Sequence, residues 1–201
     1  MMRSPRVASG LLGGALAVTL TACSAPAEPE PTPTVSREAA SALRCLVDHS
    51  PWTLDLATVD EAWRAAIPAD RPVLGGEVAG TATMSFASAS GWRFRAHGVA
   101  FTLSLEDGAQ ESTTVTTDAA GDYAVSEAGD VLVLDGLDVD ETRAATTTTP
   151  DGTRTDGVSI PAPEFPWTAT DAAELSFTCT EHRLVISTPG VVPSGWSLSP
   201  G

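Results

Sequence analysis

From Val73 onward, apolar and polar residues alternate in short runs broken by turn residues, the pattern of strands buried on one face. It predicts strands over 77–87, 92–97, 100–106, 112–117, 122–126, 130–134, 140–149, 153–160, 172–179 and 183–187. Turns are expected at Asp107-Gly108, Asp135-Gly136, Asp151-Gly152 and Asp156-Gly157, because Asp-Gly accepts the positive φ of a tight hairpin. Gly91, Gly121 and Gly129 mark further bends. Ahead of this stretch the period changes. Ala39, Ala40, Leu43 and Leu46 recur at helical spacing and predict a short helix over 36–46. Thr58-x-x-Glu61 has the form of a capping box, and Val59, Ala62, Trp63, Ala66 and Ile67 follow on one helical face until Pro68 ends it. Between the helices, Ser50-Pro51-Trp52-Thr53-Leu54 reads as a first strand or an entry turn. The order predicts a mainly β fold: an antiparallel meander closing into a barrel or a curled sheet, with one or two short N-terminal helices.

A faint repeat supports the meander. Asp122–Ser126 and Asp130–Leu134 form one hairpin pattern, echoed by Leu175–Cys179 and Arg183–Ile186 around Glu181-His182. Each second strand is strongly apolar, and two copies fit consecutive rungs. Val131, Val133, Leu184 and Ile186 are expected to face inward, since side chains two apart share a strand face. Thr116, on a Thr-rich strand, is expected to face water.

The first residues follow a different logic. Arg3 and Arg6 precede an apolar run from Val7 to Leu20, which ends at Leu20-Thr21-Ala22-Cys23. This is the layout of a secretory signal peptide, and the run is too short and too rich in glycine to span a bilayer. Leu20-Thr21-Ala22-Cys23 resembles the lipobox of bacterial lipoproteins. The resemblance implies diacylglyceryl transfer to the Cys23 thiol, cleavage after Ala22 and frequent acylation of the new amino terminus with fatty acid such as palmitate. Two or more acyl chains anchor firmly where one does not. The expected organisation is therefore a signal peptide (1–22), a Pro-rich membrane-proximal linker (23–35) and one β-rich extracytoplasmic domain (36–201).

Composition narrows the chemistry. The net charge is −15, and removal of Arg3 and Arg6 with the signal makes the domain more acidic still, which argues against nucleic acid or anionic lipid headgroups as partners. The chain has no Lys and no Asn. Without Lys there is no P-loop, no Schiff-base chemistry and no Ser-x-x-Lys site; without Asn there is no N-glycosylation and no Cys-His-Asn triad. With Cys23 consumed by lipid, Cys45 and Cys179 remain in an oxidising compartment. They form either one disulfide from the start of the domain to its last strands or two separate buried thiols. A disulfide there closes a loop of about 130 residues, for which chain entropy allows about 5 kcal/mol.

No catalytic constellation and no metal site stands out. His49, His97 and His182 share no ligand spacing. The acidic cluster Asp135, Asp138, Asp140 and Glu141 lacks the glycine and closing glutamate of a calcium loop, so it reads as a solvated turn. Trp52, Trp63, Trp92, Phe86, Phe94, Phe101 and Phe177 lie on apolar faces, as core or as the lining of a cavity. Trp167 and Trp196 fall in Pro-rich segments, expected on the outside or closing one end. No cofactor is implied.

Cys45 with Pro51-Trp52 and Asp55, the helix carrying Trp63, the apolar strand around Met84–Phe86, the two hairpins and the late Phe177-x-Cys179 together resemble the lipocalin-like lipoproteins of high-GC Gram-positive (actinobacterial) bacteria. The resemblance covers Cys45 to about Ile186 and implies a lipid-anchored barrel on the outer face of the cell membrane. Three functional expectations follow. The first is a non-catalytic barrel that binds a small apolar or lipid ligand, or a partner protein. The second is a structural or interaction module of the envelope with a filled core. The third is an acidic hydrolase working through Asp and Glu, whose carboxylate pairs leave no local mark in sequence.

Overall fold

The alternating segments pair into one antiparallel sheet that closes on itself. In a computed structural model of the chain, the described residues are 35–69, 72–88, 90–157, 160–168, 173–187 and 195–201. The expected signal peptide and the linker through residue 34 lie outside them. The elements are α1 (Arg37–Asp48), β1 (Trp52–Leu54), α2 (Leu56–Ala66), β2 (Val73–Phe86), β3 (Gly91–Leu105), β4 (Gln110–Val125), β5 (Val131–Thr148) and β6 (Arg154–Asp156). A 3-10 turn (Pro166–Thr168) precedes β7 (Ala173–Thr180), β8 (Arg183–Ser187) and β9 (Gly195–Pro200). Eight strands run round the ring in the order β1-β2-β3-β4-β5-β7-β8-β9, and β9 returns to β1 through Thr53–Ser199 and its neighbours. The three-residue β6 hangs on β5 as a spur. The meander is thus a closed, lipocalin-like barrel, and no strand of the ring is left without a neighbour on either side.

Three pairs of expected strands prove to be single long ones. β3 joins 92–97 to 100–106, β4 joins 112–117 to 122–126, and β5 joins 130–134 to 140–149. The joins are bulges: the register shifts between Ala96 and Val99 and again opposite Gly136. Gly98 (φ 57°) and Gly136 (φ 62°) take the left-handed conformation in which a Cβ is strained, so Asp135-Gly136 serves as a bulge and not as a hairpin turn. An extra residue flips the inward phase. On β3 the buried set is Trp92, Phe94 and Ala96 before Gly98, then Val99, Phe101 and Leu103 after it. Asp107-Gly108 and Asp151-Gly152 are turns as expected, whereas the expected strand over 153–160 shrinks to Arg154–Asp156, with 158–159 outside the described residues.

The two echoing hairpins sit side by side, because β5 pairs with β7 from Val131–Ser176 to Leu134–Ala173. Leu184 and Ile186 are fully buried, as expected. The phase of β5 is corrected by one residue: Leu132 and Leu134 face the core, and Val131 and Val133 lie half-buried on the other face. In Val-Leu-Val-Leu both faces are apolar, so alternation carries no phase.

Both helices begin on a capping side chain. Ser36 caps α1 by accepting from Ala39 N–H. α2 starts earlier than the capping box implied. Asp55 is the cap, accepting from Ala57 N–H at 3.1 Å, and Thr58 stands inside the first turn with its hydroxyl on Asp55 O. The helical face is as expected at Val59 and Trp63, which are buried; the side chains of Glu61, Ala62 and Ala66 lie outside the described residues. Ile67 is extended ahead of Pro68, which ends the helix. α1 touches β2, β4 and β7, which lie around the ring, so it crosses one end of the barrel. At that end Cys45 of α1 is bonded to Cys179 of β7. α2 packs on the far part of β2, where Trp63 meets Phe101 edge-on at 5.3 Å. No helix among the described residues is long and apolar enough to cross a membrane.

Candidate functional site: the barrel interior

Eight strands enclose a space that side chains can just fill or that can hold one small ligand. The content of the lumen therefore decides what the barrel can do. Its walls contribute Trp52, Met84, Phe94, Leu132, Leu184, Ile186 and Trp196, each fully buried. The middle is occupied by a segment that belongs to no strand. Residues 160–168, Ile-Pro-Ala-Pro-Glu-Phe-Pro-Trp-Thr, run between β6 and β7 as a strap, and Ile160, Phe165 and Trp167 are at most 2% exposed. Phe165 lies 4.7 Å from Phe94 on one wall and 5.5 Å from Trp196 on another, centroid to centroid. Trp167 lies 5.2 Å from each of the same two rings, edge-on to both. The four rings form one continuous cluster across the lumen, in the tilted, edge-to-face and stacked geometries that aromatic quadrupoles favour.

Polar contacts fix where the strap enters. Ile160 N–H donates to Thr113 Oγ1 at 2.9 Å, and the same hydroxyl donates to Ile160 O at 3.3 Å. Trp63 Nε1 donates to Pro161 O at 2.6 Å. Thr113 is buried on β4, so its hydroxyl serves both main-chain groups of one strap residue where water cannot reach. Pro161, Pro163 and Pro166 have no N–H to satisfy, which lets this stretch of main chain run without a ladder, with Pro161 and Glu164 exposed and Phe165 and Trp167 turned inward. The indole N–H groups of Trp167 and Trp196 are buried without a hydrogen-bond partner among the described residues. Trp167 and Trp196 were expected at the outside or at one end; both are core. The missed signal was composition: Ile160, Phe165 and Trp167 make this loop too apolar to remain in water.

The other sequence candidates do not converge. His49 caps the end of α1, His97 is exposed on β3, and His182 is exposed in the β7–β8 turn. Asp138 and Asp140 point to solvent, while Glu141 turns to the face of Thr117, whose hydroxyl donates to it at 3.1 Å, and Arg143 Nε donates to it at 2.7 Å. No group of His, Cys, Asp or Glu able to hold a metal is present among the described residues. On the outer face Asp118 bonds Arg93 and lies 3.5 Å from Arg95. The Arg93 hydrogen bond, with the charges of both arginines, holds its carboxyl below the ordinary range, the opposite of what a general acid needs. Burial raises the Tyr123 phenol, whose OH donates to Ala87 O at 3.0 Å.

Asp118 yields a pH prediction. Its folded pKa is depressed, so its contribution is present above the unfolded carboxylate range and is lost as pH falls through the folded value. Between pH 5 and pH 2 the melting temperature of Asp118→Asn should fall less steeply than that of wild type; parallel curves would show that the pair contributes nothing.

No protein-family model, curated protein or solved structure matches the chain.

Proposed function

We propose that this chain is an extracytoplasmic lipoprotein, held on the outer face of the cell membrane by lipid on Cys23, whose barrel acts without catalysis as an interaction module of the envelope. The observation behind the module reading is the occupied lumen: Phe165 and Trp167 join Phe94 to Trp196 across the space where a ligand would sit. What supports the anchor is the lipobox-like Leu20-Thr21-Ala22-Cys23 after a charged and apolar leader, together with a Cys45–Cys179 disulfide suited to an oxidising compartment. The acidity of the domain favours a basic protein surface as partner and disfavours nucleic acid.

A small apolar or lipid ligand is the second reading. It is favoured by the two buried indole N–H groups of Trp167 and Trp196, which a ligand carbonyl or carboxylate would satisfy. The magnitude weighs against it as the resting function. A ligand must displace Ile160, Phe165 and Trp167, each worth roughly 2 kcal/mol or more in burial, before it gains any affinity of its own.

The anchor is tested by Cys23→Ala. Lipidation should stop, and the protein should accumulate as uncleaved precursor or leave the membrane fraction. An unchanged fractionation and an unchanged mature amino terminus would overturn the proposal.

A further inference from the structure

The Cys45–Cys179 disulfide is not sealed in the core. Both cysteines are half-buried, and both line an open groove of about 450 Å3, with Arg37, Glu38, Ser41 and Phe177 among its other walls. The bond is also not needed to close the barrel, since every seam of the ring is a backbone ladder. What it holds is α1. That helix keeps a separate attachment near its C-terminal end, where Leu46 is fully buried and its carbonyl accepts from Trp52 Nε1 at 3.0 Å. Its first turns have less: Ala39 is buried and Ser36 Oγ donates to Glu127 O, while Arg37 and Glu38 are exposed.

We propose that Cys45–Cys179 is an exchange site for an external dithiol, opened within the folded protein, and that α1 stays docked through Leu46 when it opens. The thiolate of the dithiol attacks one cysteine sulfur; the S–S bond breaks, and its electron pair leaves on the other cysteine, which takes a proton from water. The second thiolate of the dithiol then attacks the mixed disulfide and expels the remaining cysteine as thiolate, which is protonated in turn. The dithiol ends as a disulfide, two electrons poorer, and the protein gains two thiols. Arg37 favours the approach of one thiolate and the departure of the other, and Glu38 opposes both. The proposal is independent of lipid on Cys23.

The probe is dithiothreitol on the folded, oxidised protein, with thiols trapped by iodoacetamide and counted by mass. Reduction should be first order in dithiothreitol and insensitive to mild urea. Tryptophan fluorescence should hold, and amide exchange in the barrel strands should not accelerate. Arg37→Ala should slow the reaction a few-fold and Glu38→Gln should speed it by a similar factor; both residues are exposed, so neither change threatens the fold. The double variant Cys45→Ala/Cys179→Ala should keep the barrel. A rate that saturates with dithiothreitol and climbs with urea would mean that reduction waits for unfolding, and the proposal fails. It fails equally if tryptophan fluorescence is lost as thiols appear, or if the double variant has no folded barrel.

Discussion

Ile186→Asp and Leu132→Asp should each abolish folding or leave a protein that is lost on expression, while Val133→Asp should fold. Ile186 and Leu132 are fully buried on neighbouring parts of the ring, with no polar group paired to either side chain. An unpaired carboxylate there costs several kcal/mol, or takes up a proton at comparable cost, against a typical total stability of about 5–15 kcal/mol. Val133 differs because the one-residue phase of β5 turns it to the half-buried outer face, opposite Glu174. A second carboxylate beside Glu174 adds some repulsion in a solvated setting, which is a far smaller effect. Circular dichroism and thermal melts distinguish the three. If Val133→Asp unfolds and Leu132→Asp melts like wild type, the register of β5 is displaced by one residue and the barrel is not built as described.

Emptying the lumen should have the next largest effect. Phe165→Ala and Trp167→Ala each remove a buried aromatic at about 3–5 kcal/mol, which for a chain of this size lowers the melting temperature by about 6–20 °C. The two rings stack at 5.9 Å and share Phe94 and Trp196, so the double variant should lose less than the sum of the single losses. Glu164→Ala, next to Phe165 in sequence and exposed, serves as the control that alters the strap without emptying the barrel. Melts within a degree or two of wild type for both aromatic variants would show that the strap does not fill the interior, and the module reading would give way to an open ligand cavity.

What the sequence shows and what it conceals divide along physical lines. Helical spacing marked α1 and the face of α2 because Ala39, Leu46, Val59 and Trp63 must all reach the core. The Cys45–Cys179 pair was legible as one of two alternatives from cysteine count alone. The long strands were not, since a bulge glycine such as Gly98 or Gly136 interrupts alternation in the same way as a turn glycine. The phase of β5 was hidden because valine and leucine are equally apolar. The strap was hidden most deeply, for Pro161, Pro163 and Pro166 remove any period that could reveal which of its residues turn inward. Thr113, its buried anchor, looks in sequence like any other residue of a Thr-rich strand.

The most direct test of the account is the native mass spectrum of the protein extracted from its own membrane. The expected species is a chain that begins at Cys23, carries diacylglyceryl and acyl mass on that residue, has one internal disulfide and brings no further small molecule with it. An additional mass of a few hundred daltons that leaves on denaturation would move the function to the second reading. A mature chain that begins elsewhere and carries no lipid would contradict the account.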